Sequence, residues 1–328
     1  MIVVTGGAGF IGSNLVAALE ERGESGLVVC DRLRDGNKWR NISKRELADV
    51  VHPEALFDFL LERGSEVRAV FHMGAISSTT ETDADLILAT NVHLSTHLWR
   101  WCTDEQVPFI YASSAATYGD GADGFDDDGS IEGLAKLRPM NPYGWSKHLF
   151  DRMVARWVAR GDPTPPQWAG LKFFNVYGPN EYHKGAMQSI VAKTFPVASV
   201  GEDLTLFRSH NPDYADGGQL RDFVSVRDCV SVMLWLLEHP HTSGLFNLGT
   251  GEACSFLEVM ESLCAALDRE LTVQWVDTPA EIRDRYQYYT QAELGRLREA
   301  GYDRPFLAVE EGVEDYVTSY LATDDPYR

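Results

Sequence analysis

The stretch TGGAGFIG, residues 5–12, decides the fold. Ahead of it, residues 1–4 are a short apolar run of strand type, and behind it Phe10, Ile11, Leu15, Val16 and Leu19 recur at helical spacing over residues 10–22. The segment therefore reads as strand, tight turn and helix. Gly6, Gly9 and Gly12 fall three apart, which lets the backbone turn sharply, approach a pyrophosphate and pack the helix on the strand, with the helix N-terminal N–H groups facing the anion. A glycine pattern alone is weak evidence. Here a second strand at residues 27–30 follows and ends in Asp31, about 20 residues beyond the loop, as a dinucleotide site requires.

By itself Asp31 suits the ribose diol of NAD. Arg32, Arg34, Lys38 and Arg40 put four cations close behind it, and an Arg beside the acidic residue accommodates a 2′-phosphate. NADP is the expected cofactor, with NAD as the alternative. A solvated basic loop is the plain structural reading of the same residues.

A second motif, YGWSK at residues 143–147, lies near the middle of the chain. Asn141-Pro142 is an N-cap followed by Pro at the first helical position, so Tyr143 falls in the first turn and Lys147 four residues on, on the same face. A neighbouring ammonium and the positive end of the helix dipole both favour phenolate, so the Tyr143 pKa is expected to fall toward neutrality, which suits a general acid/base. Lys147 can hold a nicotinamide ribose. Ser114, at the end of another strand, can hydrogen-bond the reacting oxygen. Any YxxxK can be an ordinary helix turn, and the upstream dinucleotide loop is what tips the balance.

The chain has 328 residues and a formal charge of −20, enough length for a large core and two domains. So acidic a protein is a poor partner for nucleic acid or an anionic membrane. No stretch approaches a membrane helix and the first apolar run is too short for a signal peptide. Cys30, Cys102, Cys229, Cys254 and Cys264 are scattered without CxxC spacing, so neither a disulfide framework nor a zinc or other metal site is expected, and the compartment is read as cytoplasm.

Strand-like runs recur at residues 69–72, 109–112, 171–176 and 245–248, separated by helical patterns at 53–63, 83–102 and 142–159. That alternation predicts an α/β fold with a doubly wound parallel sheet. Ligands in such sheets bind at the carboxyl ends of strands, where Gly74, Ala75, Ser113, Ser114 and Asn175 lie. The rhythm fails over residues 177–221 and after Gly249. The expected division is therefore a Rossmann-like domain of residues 1–177 plus 223–248, and a smaller α+β substrate-binding domain of residues 178–222 plus 249–328.

With both motifs in place the chain resembles the extended short-chain dehydrogenase/reductases over nearly its whole length. SSAATYG (113–119), FNVYGPNEYHKG (174–185) and PDYADGGQLRDFV (212–224) are similar to the ADP-glyceromanno-heptose 6-epimerases of bacterial lipopolysaccharide synthesis. FNVYGP is shared among sugar-nucleotide epimerases; HKG is the more specific part. The resemblance implies inversion at C6″ of ADP-heptose through a transient ketone with NADP, Tyr143 and Lys184 sharing the acid/base work, assisted by Ser114 and Lys147. A surface or phosphate-pairing lysine is the plain reading of Lys184, and His183 reads as a hydrogen-bonding residue rather than a base. By the same match, Gly6, Gly9, Phe10, Ile11, Gly12, Asp31, Arg32, Lys38, Gly74, Ala75, Ile76, Ser77, Asn91, Tyr143, Lys147, Val176 and Lys184 would line the cofactor. Asn175, Ala186, Lys193, Phe207, Arg208, Ser209, His210, Arg221 and Tyr286, with Ser114, would contact the ADP-sugar. A homo-oligomer, a pentamer in the family, is implied too.

Two departures touch the substrate side: Ala186 stands where family members can carry a hydroxyl, and Ser225 replaces a common aromatic. Rival functions are a nucleotide-hexose 4-epimerase, which the same Ser, Tyr and Lys would serve, a 4,6-dehydratase, and a non-catalytic dinucleotide-binding scaffold. A dehydratase would need carboxyls where Ala115 and Ala116 stand, and a scaffold would be expected to have lost Tyr143 or Lys147.

Overall fold

The computed structural model describes residues 1–279, 283 and 287–328; Tyr286 lies outside the described residues. Seven strands form one wholly parallel sheet: β1 (Ile2–Thr5), β2 (Leu27–Cys30), β3 (Asp49–Val51), β4 (Ala69–His72), β5 (Phe109–Ser114), β6 (Trp168–Phe173) and, later in the chain, Gly244–Leu248. From one edge the order is Gly244–Leu248, β6, β5, β4, β1, β2, β3. The order reverses at β1, so the glycine loop leaves the sheet at the switch point where α/β ligands bind.

Side-chain alternation explains the two-sided burial. Ile2, Val4, Val29 and Phe71 pack on one face with helices α1 (Phe10–Glu21) and Val226–Glu238, whereas Val3, Val28 and Val70 pack on the other with helices Leu94–Asp104 and Pro142–Arg160. Burying each such aliphatic is worth roughly 1.5–3 kcal/mol. The tryptophans follow the same logic: Trp99 packs against Phe109, Phe150, Trp157 and Trp168 inside the second of these cores.

Three sequence expectations need adjustment. Strand β3 was not expected, because three residues at a sheet edge, two of them exposed, leave no periodic signal. The helix expected over 83–102 is Ala84–Ile87, a wide π-turn at Leu88–His93, then Leu94–Asp104, and the π-turn carries buried Asn91. The strand expected over 171–176 breaks at Phe174. Its second part, β7 (Asn175–Tyr177), leaves the large sheet and pairs with Leu220–Ser225, which also pairs with Ala253–Ser255. Leu204–Arg208 and Val273–Asp277 make a further two-stranded parallel sheet. A third core joins these strands to helices Ile190–Val200, Phe256–Ala266 and Val309–Tyr316, while Leu297 and Tyr302 return to the core of the large sheet. Among the described residues no helix is long and apolar enough to cross a membrane.

Candidate active site

At the switch point Gly6 has φ of 65°, and a Cβ there would meet Gly74 at 2.6 Å. A Cβ on Gly12 would lie 2.2 Å from the Gly6 carbonyl oxygen. The loop therefore closes tightly between β1 and β4, and α1 starts at Phe10 with Gly9 as N-cap and no side chain occupying its first N–H groups. That leaves an anion cradle of backbone donors.

Asp31 ends β2 beneath this cradle. One carboxylate oxygen accepts the Ala8 N–H at 2.9 Å, and the other accepts the Arg32 N–H and the Lys38 ammonium at 2.7 and 2.5 Å. Arg32 reaches Glu54 at 3.6 Å. Arg40 turns away and stacks over Tyr327, 4.6 Å from its ring centre, so the basic cluster narrows to its part nearest Asp31.

Residues 74–77 are held from below by Asn91. Its amide accepts the Ile76 N–H at 2.8 Å, donates to the Ile76 carbonyl at 3.0 Å and donates to Ser146 Oγ at 3.0 Å. Asn91 thus fastens this loop to the helix bearing YGWSK. That helix begins as expected, with Asn141 accepting from the Gly144 N–H at 2.8 Å and Pro142 at N1. Gly144 lets it approach the turn Ala115–Tyr118, since a Cβ would lie 2.6 Å from the Ala116 carbonyl oxygen. The close approach brings Tyr143 beside Ser114, whose hydroxyl favours the phenolate form. Ser114 Oγ already accepts the Ala116 N–H at 3.1 Å, so its proton remains available.

The expected fall of the Tyr143 pKa is corrected by the structure. Burial pushes the phenol above its ordinary value; the Ser114 hydrogen bond pulls it back, and the Asp151 carboxylate pushes it up again. Lys147 is buried too, which depresses its ammonium to about 8 despite the favourable Asp151 charge. Proximity in sequence suggested attraction between the two groups; desolvation outweighs it.

Lys184 arrives on the turn Tyr182–Met187, where Gly185 has φ of 52°. Its ammonium lies 5.0 Å over the Phe10 ring, at the start of α1. Burial lowers its pKa, with Glu181 opposing and Lys193 assisting. Buried asparagines tie the turn to the dinucleotide loop: Asn41 donates to Ala8 and Asn180 carbonyls at 2.9 and 3.0 Å, and Asn180 donates to Ser13 Oγ at 3.0 Å. His183 pairs with Asn41 at 3.2 Å and is pushed down to about 4 by burial and by Lys38 and Lys184, so it is a neutral hydrogen-bonding residue.

The substrate-side residues are less gathered. Arg221 is buried and donates to the Leu220 and Gln287 carbonyls, while Asp222 accepts hydrogen bonds from Thr250, Gly251 and Ala292. Gln287 in turn donates to the Gly119 carbonyl at 2.8 Å, linking Arg221 to the turn beyond Ser114. Arg208 pairs with Asp216, and Ser209 and His210 hydrogen-bond Tyr288. Phe207 ends the same strand, Leu204–Arg208. Asn175, Lys193 and Ala186 are exposed, and Val176 packs against the large-sheet core.

Sequence reasoning missed Asp151 and Lys172. They form a fully buried ion pair at 3.2 Å behind Tyr143, with Lys172 donating to Thr117 at 2.7 Å and Asp151 accepting from Ser113 at 2.7 Å and Tyr111 at 3.2 Å. The available signal was Asp151 at four residues beyond Lys147 on the same helix face, and a lone Lys inside an apolar strand.

Comparison with known proteins agrees with this geometry. Residues 2–249 match the NAD dependent epimerase/dehydratase family. The chain is 47% identical over 331 residues to the ADP-L-glycero-D-manno-heptose-6-epimerase of Nitratidesulfovibrio vulgaris strain Hildenborough, covering all of both chains. It is 45% identical over 335 residues to that of Fusobacterium nucleatum, again covering all of both. In structure it resembles the Helicobacter pylori ADP-L-glycero-D-manno-heptose-6-epimerase with a TM-score of 0.79 at 27% identity, over 97% of this chain and 95% of that one. It also resembles Thermus thermophilus UDP-glucose 4-epimerase in complex with NAD, with a TM-score of 0.73 at 26% identity, over 96% and 97%. The glycine cradle, the Ser114–Tyr143–Lys147 constellation and full-length relatives together establish that the chain belongs to the NAD dependent epimerase/dehydratase family and, within it, groups with the ADP-L-glycero-D-manno-heptose-6-epimerases.

Proposed function

We propose that this protein is an isomerase that inverts C6″ of ADP-D-glycero-β-D-manno-heptose to give the L-glycero epimer through a transient 6″-ketone. The observation that carries it is the half-buried Lys184, its pKa lowered, brought over Phe10 at the start of the cofactor helix. A single acid/base beside Ser114 serves one orientation of the sugar carbon, and returning hydride to the opposite face of the ketone calls for a second. Tyr143 exchanges a proton with the reacting oxygen in one orientation, with Ser114 holding that oxygen, and Lys184 does so in the other. Lys147 holds the nicotinamide ribose. A bound nicotinamide dinucleotide supplies acceptance and return of the hydride.

The residues present fit that group: an uncapped helix start, glycines that exclude any Cβ and a loop at 74–77. NADP is favoured over NAD because both Asp31 oxygens are already engaged, one of them by Lys38. A ribose diol would have to displace those partners, whereas a 2′-phosphate would meet Lys38 and Arg32. Residues 1–177 plus 223–248 are assigned to the dinucleotide and 178–222 plus 249–328 to the ADP-sugar, with Lys193, Arg221 and the loop at 207–210 on the diphosphate and nucleotide side. The setting is taken as a cytoplasmic homo-oligomer supplying lipopolysaccharide core synthesis.

The test is to incubate the purified protein separately with ADP-D-glycero-β-D-manno-heptose and UDP-glucose and follow each sugar by NMR. Inversion at C6″ of the heptose alone is expected. Inversion of the hexose alone, at C4, would replace this assignment with a hexose 4-epimerase, and silence with both would point to a non-catalytic scaffold.

A further inference from the structure

Behind the loop at residues 74–77 runs a chain of buried polar groups whose hydrogen-bond directions can be worked out. Thr5, His72, Ser95 and Asn91 are each no more than 2% exposed. Ser95 Oγ lies 2.6 Å from the Asn91 carbonyl oxygen, which can only accept, so the Ser95 proton is committed there. Toward His72 Nε2, at 2.8 Å, Ser95 must therefore accept, and Nε2 carries a hydrogen. Burial and the Lys147 charge hold the imidazole neutral, depressing its pKa to about 3, so Nδ1 is bare. Thr5 Oγ1, 2.6 Å from Nδ1, must donate to it. With its proton committed, Thr5 Oγ1 accepts the Gly74 N–H at 3.3 Å. Asn91 closes the circuit through its two bonds to the Ile76 backbone.

We propose that His72, fixed as its Nε2–H tautomer, is a positioning residue that orients Thr5 to hold the Gly74 N–H, and so sets the loop at 74–77 in the geometry a dinucleotide needs. This rests on assigning that loop to the cofactor. Gly74 is the residue a Gly6 Cβ would strike at 2.6 Å, so its placement also sets the floor of the glycine cradle. The opposite tautomer would make Thr5 accept from both Nδ1 and Gly74, leaving the Thr5 proton without its acceptor, and would leave Nε2 facing a Ser95 oxygen with no proton to give. The Ser95–Nε2 bond would be lost and a buried hydroxyl proton left unpartnered.

Two measurements decide it. In protein labelled with ¹⁵N-histidine, long-range ¹H–¹⁵N correlation should show His72 protonated at Nε2 alone; a proton at Nδ1 overturns the proposal. Equilibrium titration with NADPH should show Thr5→Val binding about tenfold more weakly, while Thr5→Ser, which keeps the hydroxyl, stays within about twofold and the sugar-nucleotide KM at saturating cofactor is unchanged. Thr5→Val binding as tightly as wild type overturns it. Should Thr5→Val not fold, Ser95→Ala decides instead: mixed tautomers with weaker NADPH binding support the relay, and an unaltered spectrum and affinity overturn it. If wild type bound neither NADPH nor NADH, the cofactor assignment would fall separately, since the tautomer is read without ligand.

Discussion

Asp151 and Lys172 form an ion pair 3.2 Å apart in which neither side chain has any exposed surface. The pair joins the helix bearing YGWSK, through Asp151, to strand β6, through Lys172, and its carboxylate raises the pKa of both Tyr143 and Lys147. Asp151→Asn should destabilise the fold by about 3–5 kcal/mol, because it leaves the Lys172 ammonium buried with only Thr117 and an aromatic face. It should also let the Lys147 pKa fall further, moving the alkaline limb of the pH–rate profile to lower pH. Thermal unfolding and a pH profile of turnover check both parts, and an unmoved limb would separate Asp151 from the site.

Tyr143→Phe removes the hydroxyl that meets Ser114 and changes little else in packing. Turnover should fall by about 10²–10⁴ while NADPH binding and melting temperature stay near wild type. Since burial holds the free phenol above its ordinary pKa, Tyr143 is a phenol at neutral pH. It is thus set to donate a proton first, and unchanged activity would end its assigned role.

Lys147 carries a stability consequence with a definite sign. Its folded pKa of about 8 lies below the unfolded value of 10.5, so between these the unfolded chain binds more protons and stability rises with pH. Below pH 8 the full penalty of burying the ammonium is present, about 3 kcal/mol at most from the size of the shift. Lys147→Met should therefore melt higher than wild type at pH 7, with the advantage shrinking toward pH 10, and should lose turnover. Calorimetry across that range checks the trend.

Gly144 is the contact that seats Tyr143 against Ser114. Gly144→Ala would place a Cβ 2.6 Å from the Ala116 carbonyl oxygen, which is backbone and cannot swing aside. The helix start must shift, at about 1–3 kcal/mol. Turnover should fall far more than cofactor affinity, measured by steady-state kinetics beside NADPH titration.

Lys184→Met keeps the apolar contact with Phe10 but removes the ammonium. Epimerisation should drop by about 10²-fold or more, while NADPH binding persists. Equal loss of both would assign Lys184 to the cofactor phosphates instead.

Local chemistry made much of this protein legible. The glycine spacing, the Asn141-Pro142 helix start and the strand-helix rhythm are short-range patterns, and the structure reproduces each of them near its expected place. Short elements escaped: β3 is too brief to show a period, and the π-turn around Asn91 is invisible to a helical pattern that continues on both sides.

The sequence by itself determined the parallel sheet, the glycine turn at Gly6 to Gly12 and the helix start that sets Tyr143 and Lys147 on one face, because each follows from residues close in the chain or from side-chain periodicity. Only the tertiary structure decided their electrostatics and support: the raised Tyr143, the depressed Lys147, the Asp151–Lys172 pair and the Thr5–His72–Ser95–Asn91 relay. Desolvation depends on everything packed around a group, and buried hydrogen bonds join residues separated by up to 167 positions. No local pattern carries either.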